Sequence, residues 1–480
     1  MDKFFKISER GSNVRTEIMA GLTTFFAMVY IVVTNPNQIV SFNHLAEGAD
    51  PAFQQIWNAV YVASILVAVI GTLLMAFYAK MPFAQACGMG LNSFFFVSFI
   101  LPVLIGGGDS AALVDGYQAG LVIILLSGVI FMIFSLTGLR SKVAKALPDC
   151  LKKALPAGIG LFIAFIGFQN VGLIQANQYT LVQFVDIHGA VKEGAFMTAA
   201  LPALLALLGV IIIAALEKFK KLKGASVLIA IAIITVLYYI VTGTVPSFDM
   251  GQVGQTFKDF ASIGVTGVFQ AQSWKDAFSV ELVGGVFSAI MLIVTYCLVD
   301  MFDTIGTLYG TASQADMLDE NGDPINVNEC MNSDSIATVV GGVLGTSTCT
   351  TFVESAAGVV AGGRTGLTSL VVSICFALCL FLSPLASLVP ACATAPALIW
   401  VGVLMMKGFA KVDMDDARSA VPAFLALVMM PLTYSISNGI GLGAIAYVLI
   451  TLFTGKYQKK DIPVTIIALL FAVKFCMITM

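Results

Sequence analysis

Apolar residues in this chain come in long runs, and short polar connections separate them. The runs predict spans at 17–34, 57–78, 83–101, 118–138, 154–174, 195–216, 225–243, 283–311, 335–345, 347–362, 366–383, 387–407, 419–436 and 439–454. A helix needs about 20 largely apolar residues to cross the hydrocarbon core of a bilayer, and many of the runs reach that length. The predicted fold class is an all-α polytopic membrane protein with about 14 transmembrane spans. A last apolar piece, 463–479, is short, broken early by Pro463 and charged at Lys474. It either lies along the interface, the placement favoured, or forms an extra span.

Two spans depart from the pattern. In the third, Pro82-Phe83-Ala84-Gln85-Ala86-Cys87 precedes Gly88-Met89-Gly90-Leu91-Asn92; in the tenth, Thr346 to Phe352 precedes Val353-Glu354-Ser355. Helix-poor, partly β-branched residues before a run of small ones predict a short strand leading into a half-helix. Non-helical backbone at membrane depth is tolerated only where protein or a cavity satisfies it. Two such strands can pair, leaving two half-helix N-termini, with their free N–H groups, aimed at one place.

The halves of the chain resemble each other in order. Leu201-Pro202-Ala203-Leu204-Leu205-Ala206-Leu207 matches Val421-Pro422-Ala423-Phe424-Leu425-Ala426-Leu427. Pro156-Ala157-Gly158 is expected to open the fifth span as Pro396-Ala397-Leu398 opens the twelfth, and Gly224-Ala225-Ser226 is matched by Asn438-Gly439-Ile440. Seven spans per half is odd, so the second copy must be inverted, a 7+7 arrangement that in transporters places the site at the repeat interface.

Composition agrees: 58% of residues are hydrophobic and 11% charged, against about 25% charged in soluble domains. The net charge of −3 decides nothing. Basic residues do: Lys80, Arg140 to Lys153, Lys218 to Lys223, Lys407 to Arg418 and Lys456 to Lys460 fall on one side, with Lys192, Lys258 and Lys275 on the other. That bias predicts both termini in the cytoplasm. The acidic 313–334 connection shares that side and reads as a solvated loop. Its Asp319, Asn321 and Asp323 alternate like a calcium loop, but Pro324 and Cys330 stand where the loop needs glycine and glutamate. The first apolar run continues into further spans with no cleavage site, so no signal peptide is expected. Residues 1–16, mixing Phe4, Phe5 and Ile7 with Lys3, Lys6 and Arg10, read as an interfacial segment. Nine scattered cysteines without a CxxC pair, and only His44 and His188, predict no disulfide framework and no metal centre.

Candidate chemistry lies between Val299 and Gly366. Asp300 and Asp303 interrupt an apolar run, and Glu354 has no charged neighbour until Arg364. A carboxylate at the bilayer centre costs on the order of 2.5–3.5 kcal/mol on insertion scales, so it is usually paired, facing a cavity or carrying a proton. Asp303 and Glu354 are read as the polar core of a transport site, and Asp300 as structural. Glu17 and Glu281, near span ends, read as interfacial, and Arg364 as an end anchor. The glycines around it lack phosphate-loop spacing.

The same stretches resemble the AzgA-like purine permeases of the nucleobase–ascorbate transporter superfamily. The matching pieces are Arg15-Thr16-Glu17 with Ala20 to Phe25, Tyr30 to Pro36, Gly88 to Asn92, Phe302 to Thr307, Thr350 to Gly358 and Gly362 to Gly366. The likeness spans residues 15 to about 455. It implies a core domain (17–139 and 281–384) and a gate domain (140–280 and 385–456), followed by a C-terminal apolar segment at 457–480. It also implies proton-coupled purine uptake across the plasma membrane. By position, Asp303 matches the superfamily's substrate or proton carboxylate, Glu354 the glutamate that pairs with base N–H groups, and Asn92 a polar half-helix residue. Ser355 lies in the same motif as Glu354. Thr307 stands where uracil-type relatives can place a histidine, which removes a histidine relay. The implied partners are a purine base, a proton and the lipid bilayer, with a homodimer left open; no cofactor and no nucleic acid is called for.

The chemistry fits independently. A purine edge alternates donors and acceptors; an ionised carboxylate accepts two N–H bonds from it, and an amide such as Asn92 matches a mixed edge. Phe94 or Phe302 is placed to stack on the ring, worth ~1–3 kcal/mol by analogy with single-strand binders. The substrate expectation is hypoxanthine or guanine, with an adenine permease as the alternative. An anion transporter of related fold would want a basic or neutral tenth-span site. An intramembrane protease would want aspartates facing across two helices. A channel would want repeated acidic rings.

Overall fold

The computed structural model describes residues 2–41, 48–137, 147–177, 179–219, 225–244, 251–314, 317–318, 324–386 and 388–477. The basic positions Arg140, Lys142, Lys145, Lys220, Lys221 and Lys223, His44, and the acids Asp316, Asp319, Glu320 and Asp323 lie outside those residues. Among the described residues eight helices are long and apolar enough to cross a membrane, with four shorter apolar helices beside them.

The helices are α1 (Val14–Met28), α2 (Ile31–Ile39), α3 (Pro51–Leu74), α4 (Met89–Phe95), α5 (Ser110–Leu136) and α6 (Asp149–Asn170). Then follow α7 (Leu201–Glu217), α8 (Ser226–Thr242), α9 (Gly285–Gln314), α10 (Val327–Leu344), α11 (Ser355–Val360) and α12 (Gly366–Cys379). The chain closes with α13 (Ala391–Met405), α14 (Ala417–Leu432), α15 (Ile436–Phe453) and α16 (Ile462–Met477). Four short strands complete it: β1 (Gln85–Cys87), β2 (Ile174–Asn177), β3 (Leu181–Phe184) and β4 (Cys349–Thr351).

Packing sorts these helices into two groups. One gathers α1, α2, α4, α9, α10, α11 and α12 about α3 and α5; the other gathers α7, α8, α13, α14, α15 and α16 about α6. Contact between the groups runs through α6 against α4 and α9, and through α8 against α1. A small residue sets the closeness between α4 and α6: a Cβ on Gly90 would stand 2.4 Å from Ile159 Cγ2, whereas one on Gly306 would meet Pro156 Cγ only at 4.0 Å.

Both interrupted spans carry the expected strands. β1 and β4 pair antiparallel, with Gln85 opposite Thr351, Ala86 opposite Thr350 and Cys87 opposite Cys349. The ladder is extended by Phe352 N to Ala84 O and Gly88 N to Thr348 O, each 3.0 Å. The backbone groups freed by breaking two helices are thus satisfied by each other, as the membrane interior requires. Lys80 turns the chain toward β1 in a left-handed conformation, φ 55°.

Two expectations change. Pro156 and Pro396 lie inside α6 and α13 rather than opening them; Pro148 and Pro390 sit at the N-caps, where a fixed φ suits a helix start. The helix α10 begins at Val327, not 335, so Glu329 and Asp334 are helical and Asp334 is fully buried rather than solvated. Residues 2–12 are tied to the fold: Phe5 and Ile7 pack with Leu367, and Arg10 donates to Lys80 O at 2.8 Å and Arg364 O at 3.0 Å. Two bonds from Ser8 hold the Asp2 carboxyl below its usual range. The C-terminal piece is a helix packed along α15.

Candidate functional site

The paired strands bring the two sequence-predicted acids to one place. Asp303, on α9, reaches the end of β1: a Cβ on Gly88 would stand 4.0 Å from its Oδ2 and 3.6 Å from Thr348 Oγ1. Glu354 occupies the N-cap of α11, directly after β4. Its charge reaches Asp303, and both side chains are half-buried. Among the described residues the Asp303 carboxylate meets no hydrogen-bond donor, while Glu354 Oε1 accepts from Tyr30 Oη at 2.7 Å. Thr348 Oγ1 is buried at the same break with no partner. An unmet buried polar atom costs roughly 1–3 kcal/mol, which marks this as a place a polar ligand would complete.

The neighbouring acids are spent differently. Asp300 is buried and accepts from Thr338 Oγ1 at 2.7 Å, which agrees with its reading as structural. Asp334 accepts from Gln85 Nε2 and from Thr351 N and Oγ1 at 3.2 and 3.0 Å. It thereby ties α10 to both strands of the break from behind. Glu17 is buried and accepts from Arg364 N, Thr365 N and Thr368 Oγ1 at 3.0, 3.2 and 2.6 Å. It caps the start of α12 instead of sitting at an interface, where a carboxylate meets the orphan N–H groups and positive end of the helix. Arg364 in turn donates to Val359 O at 2.6 Å, closing the end of α11.

The remaining candidates divide. Asn92 is fully buried; its Nδ2 donates to Gln38 Oε1 at 3.2 Å and its Oδ1 accepts from Ser347 Oγ. It joins α4 to α2 and to the segment before β4. Ser355 Oγ accepts from Ala84 N at 3.0 Å, a cross-link between the two breaks. Thr307 Oγ1 bonds back to Asp303 O and Thr304 O within its own helix. Phe94 packs on Tyr296, ring centroids 5.1 Å apart, and Phe302 is buried in the same core. The geometry therefore brings Asp303 and Glu354 together as groups with spare acceptors. It gives Asn92, Ser355 and Thr307 partners in the protein.

Three residues at the site are not singled out by the sequence. Tyr30 carries a signal, as a hydroxyl-bearing aromatic in an apolar run just before Asn35-Pro36. Thr348 is one of several hydroxyl residues in an undifferentiated tract. Asp334 reads as part of a loop because the acids around it hide that the helix has already begun.

The chain matches the Permease family across residues 15–442. It is 39% identical over 463 residues to the guanine/hypoxanthine permease PbuG of Bacillus subtilis, covering 96% of each chain. It is 37% identical over 482 residues to the adenine permease AdeQ of Escherichia coli, covering 100% of this chain and 96% of that one. In fold it is similar to the transmembrane domain of the cyanobacterial bicarbonate transporter BicA, with a TM-score of 0.60 and 16% identity, covering 89% of this chain and 97% of that one.

Proposed function

The chain belongs to the Permease family, and on that premise we propose that it is a secondary active transporter importing purine nucleobases, hypoxanthine and guanine first, by proton symport with alternating access. The observation that carries the reading is the Asp303–Glu354 pair at the strand break. Among the described residues one carboxylate is without a donor, the other is steadied by Tyr30, and the unpartnered Thr348 hydroxyl lies with Asp303 around Gly88. A neutral purine offers the N–H donors these acceptors lack, and bonds to an ionised acceptor are the stronger kind.

The proposed frame is fourteen spans in a 7+7 inverted repeat across the inner membrane, with the N-terminus cytoplasmic. In this reading the core domain (17–139 and 281–384), packed about α3 and α5, holds the base, and the gate domain (140–280 and 385–456) is built about α6, with its 251–277 segment packed on the core helices α3 and α5. Alternating access in this reading is a shift of the core against the gate at the contacts of α6 with α4 and α9 and of α8 with α1. No described cation bonds to either acid, so a buried charge there is relieved by ligand donors or by a proton. That is the physical basis for coupling. Proton and base bias the same equilibrium, each changing the other's affinity by the same factor.

The test is uptake of labelled hypoxanthine in cells lacking their own purine permeases, with unlabelled adenine, guanine, hypoxanthine, xanthine and uracil as competitors. Hypoxanthine and guanine should compete best, and an uncoupler should abolish accumulation while replacing sodium with choline leaves it unchanged. Competition by adenine alone would transfer the chain to the adenine branch. Best competition by uracil, or no uptake of any purine, would overturn the reading.

A further inference from the structure

The C-terminal helix α16 runs antiparallel to α15 along its whole length. Tyr447 Oη donates to Asp461 Oδ1 at 3.1 Å near one end. A Cβ on Gly441 would stand 2.8 Å from the Phe471 ring midway. Lys474 Nζ donates to Ser437 Oγ at 2.5 Å near the other end. Val464, Ala468, Phe471 and Lys474 form the buried face. The opposite face is Ile462, Ile466, Leu469, Leu470 and Val473, all exposed.

That outer face decides between two placements. A helix lying in the interface needs a polar face toward water. Here the one charged residue points inward and the outer face is apolar. At about 1.5 Å per residue its 16 residues reach ~24 Å, beside about 27 Å for the 18 residues of α15. A slightly short helix is accommodated by local thinning of the bilayer. Lys474 stands in the last turn, level with the start of α15, its ammonium turned inward onto Ser437 Oγ.

Charge gives the direction. The connection between the two helices exposes Lys456, Lys459 and Lys460. It shares its end of the fold with Lys153, which donates to Lys411 O at 3.0 Å, and with Leu151 and Pro422, which crowd Gly443. Clustered Lys and Arg mark the cytoplasmic side.

We propose that Ile462–Met477 crosses the bilayer as an additional span, its outer face in lipid hydrocarbon, so that the chain ends on the extracytoplasmic side, opposite its N-terminus. This stands on packing and composition alone, independently of the substrate.

The test uses the full chain with the exposed Cys476 replaced (C476S). In that background, M480C should react with a membrane-impermeant maleimide in intact cells, and K459C only after permeabilisation. An alkaline phosphatase fused after Met480 should be active. If both cysteines react from the same side, or the fused phosphatase is inactive while transport persists, the proposal is overturned. A spin label at L469C should be relaxed by oxygen and not by a water-soluble nickel chelate. Nickel access would mean an interfacial helix, and protection from both would mean that a second copy covers the face; either result contradicts lipid contact.

Discussion

Replacing Tyr30 by phenylalanine removes one atom from the site and little else. The tyrosine is 2% exposed, so a phenylalanine ring there would keep the packing, and only the hydroxyl 2.7 Å from Glu354 Oε1 is lost. A hydrogen bond to a charged group contributes about 1.5–3 kcal/mol. Part of that stabilises the empty transporter as well, so the lower end applies to binding. At 1.4 kcal/mol per factor of ten, the apparent KM for hypoxanthine should rise roughly tenfold with little change in membrane abundance. Concentration-dependent uptake, normalised by immunoblot, measures this. In an E354A background the same change should have no further effect on purine binding by purified protein, because the acceptor is already gone. A KM within twofold of the unmodified chain at normal abundance would refute Tyr30 as the residue that orients Glu354.

Other substitutions separate fold from transport. Asp334→Asn places an NH2 group among donors from Gln85 and Thr351; about 1–3 kcal/mol of stability should go, seen as a lower melting temperature in detergent. Gly366→Ala would put a Cβ 2.1 Å from Ala76 O, a backbone atom that cannot swing aside, so folded protein in the membrane should fall several-fold. Gly90→Ala would set a Cβ 2.4 Å from Ile159 Cγ2, a methyl on a side chain stiff at χ1, so α4 and α6 must part at this contact. The maximal uptake rate should fall by more than membrane abundance does, and unchanged uptake would remove this contact from the moving interface.

Much of the frame is legible because apolar run length reports directly on membrane crossing, and because the two breaks announce themselves by composition. Asp303 and Glu354 stand out since a carboxylate in an apolar run is costly wherever it lies. What stays hidden depends on partners far apart in sequence. That Glu17 caps α12 needs the fold to bring residue 17 to residue 364. That Asn92 serves Gln38 and Ser347 cannot be told from a free amide. The helix starts at Asp149 and Val327 escape the pattern because Lys and Asp near a span end read equally well as loop or first turn.

The central claim is that Asp303 and Glu354 together hold a purine. Equilibrium binding of labelled hypoxanthine to purified, monodisperse protein tests it without depending on coupling or topology. The unmodified chain should bind saturably, and Asp303→Asn and Glu354→Gln should each weaken binding at least tenfold while remaining folded. Binding by either variant indistinguishable from that of the unmodified chain would contradict the account.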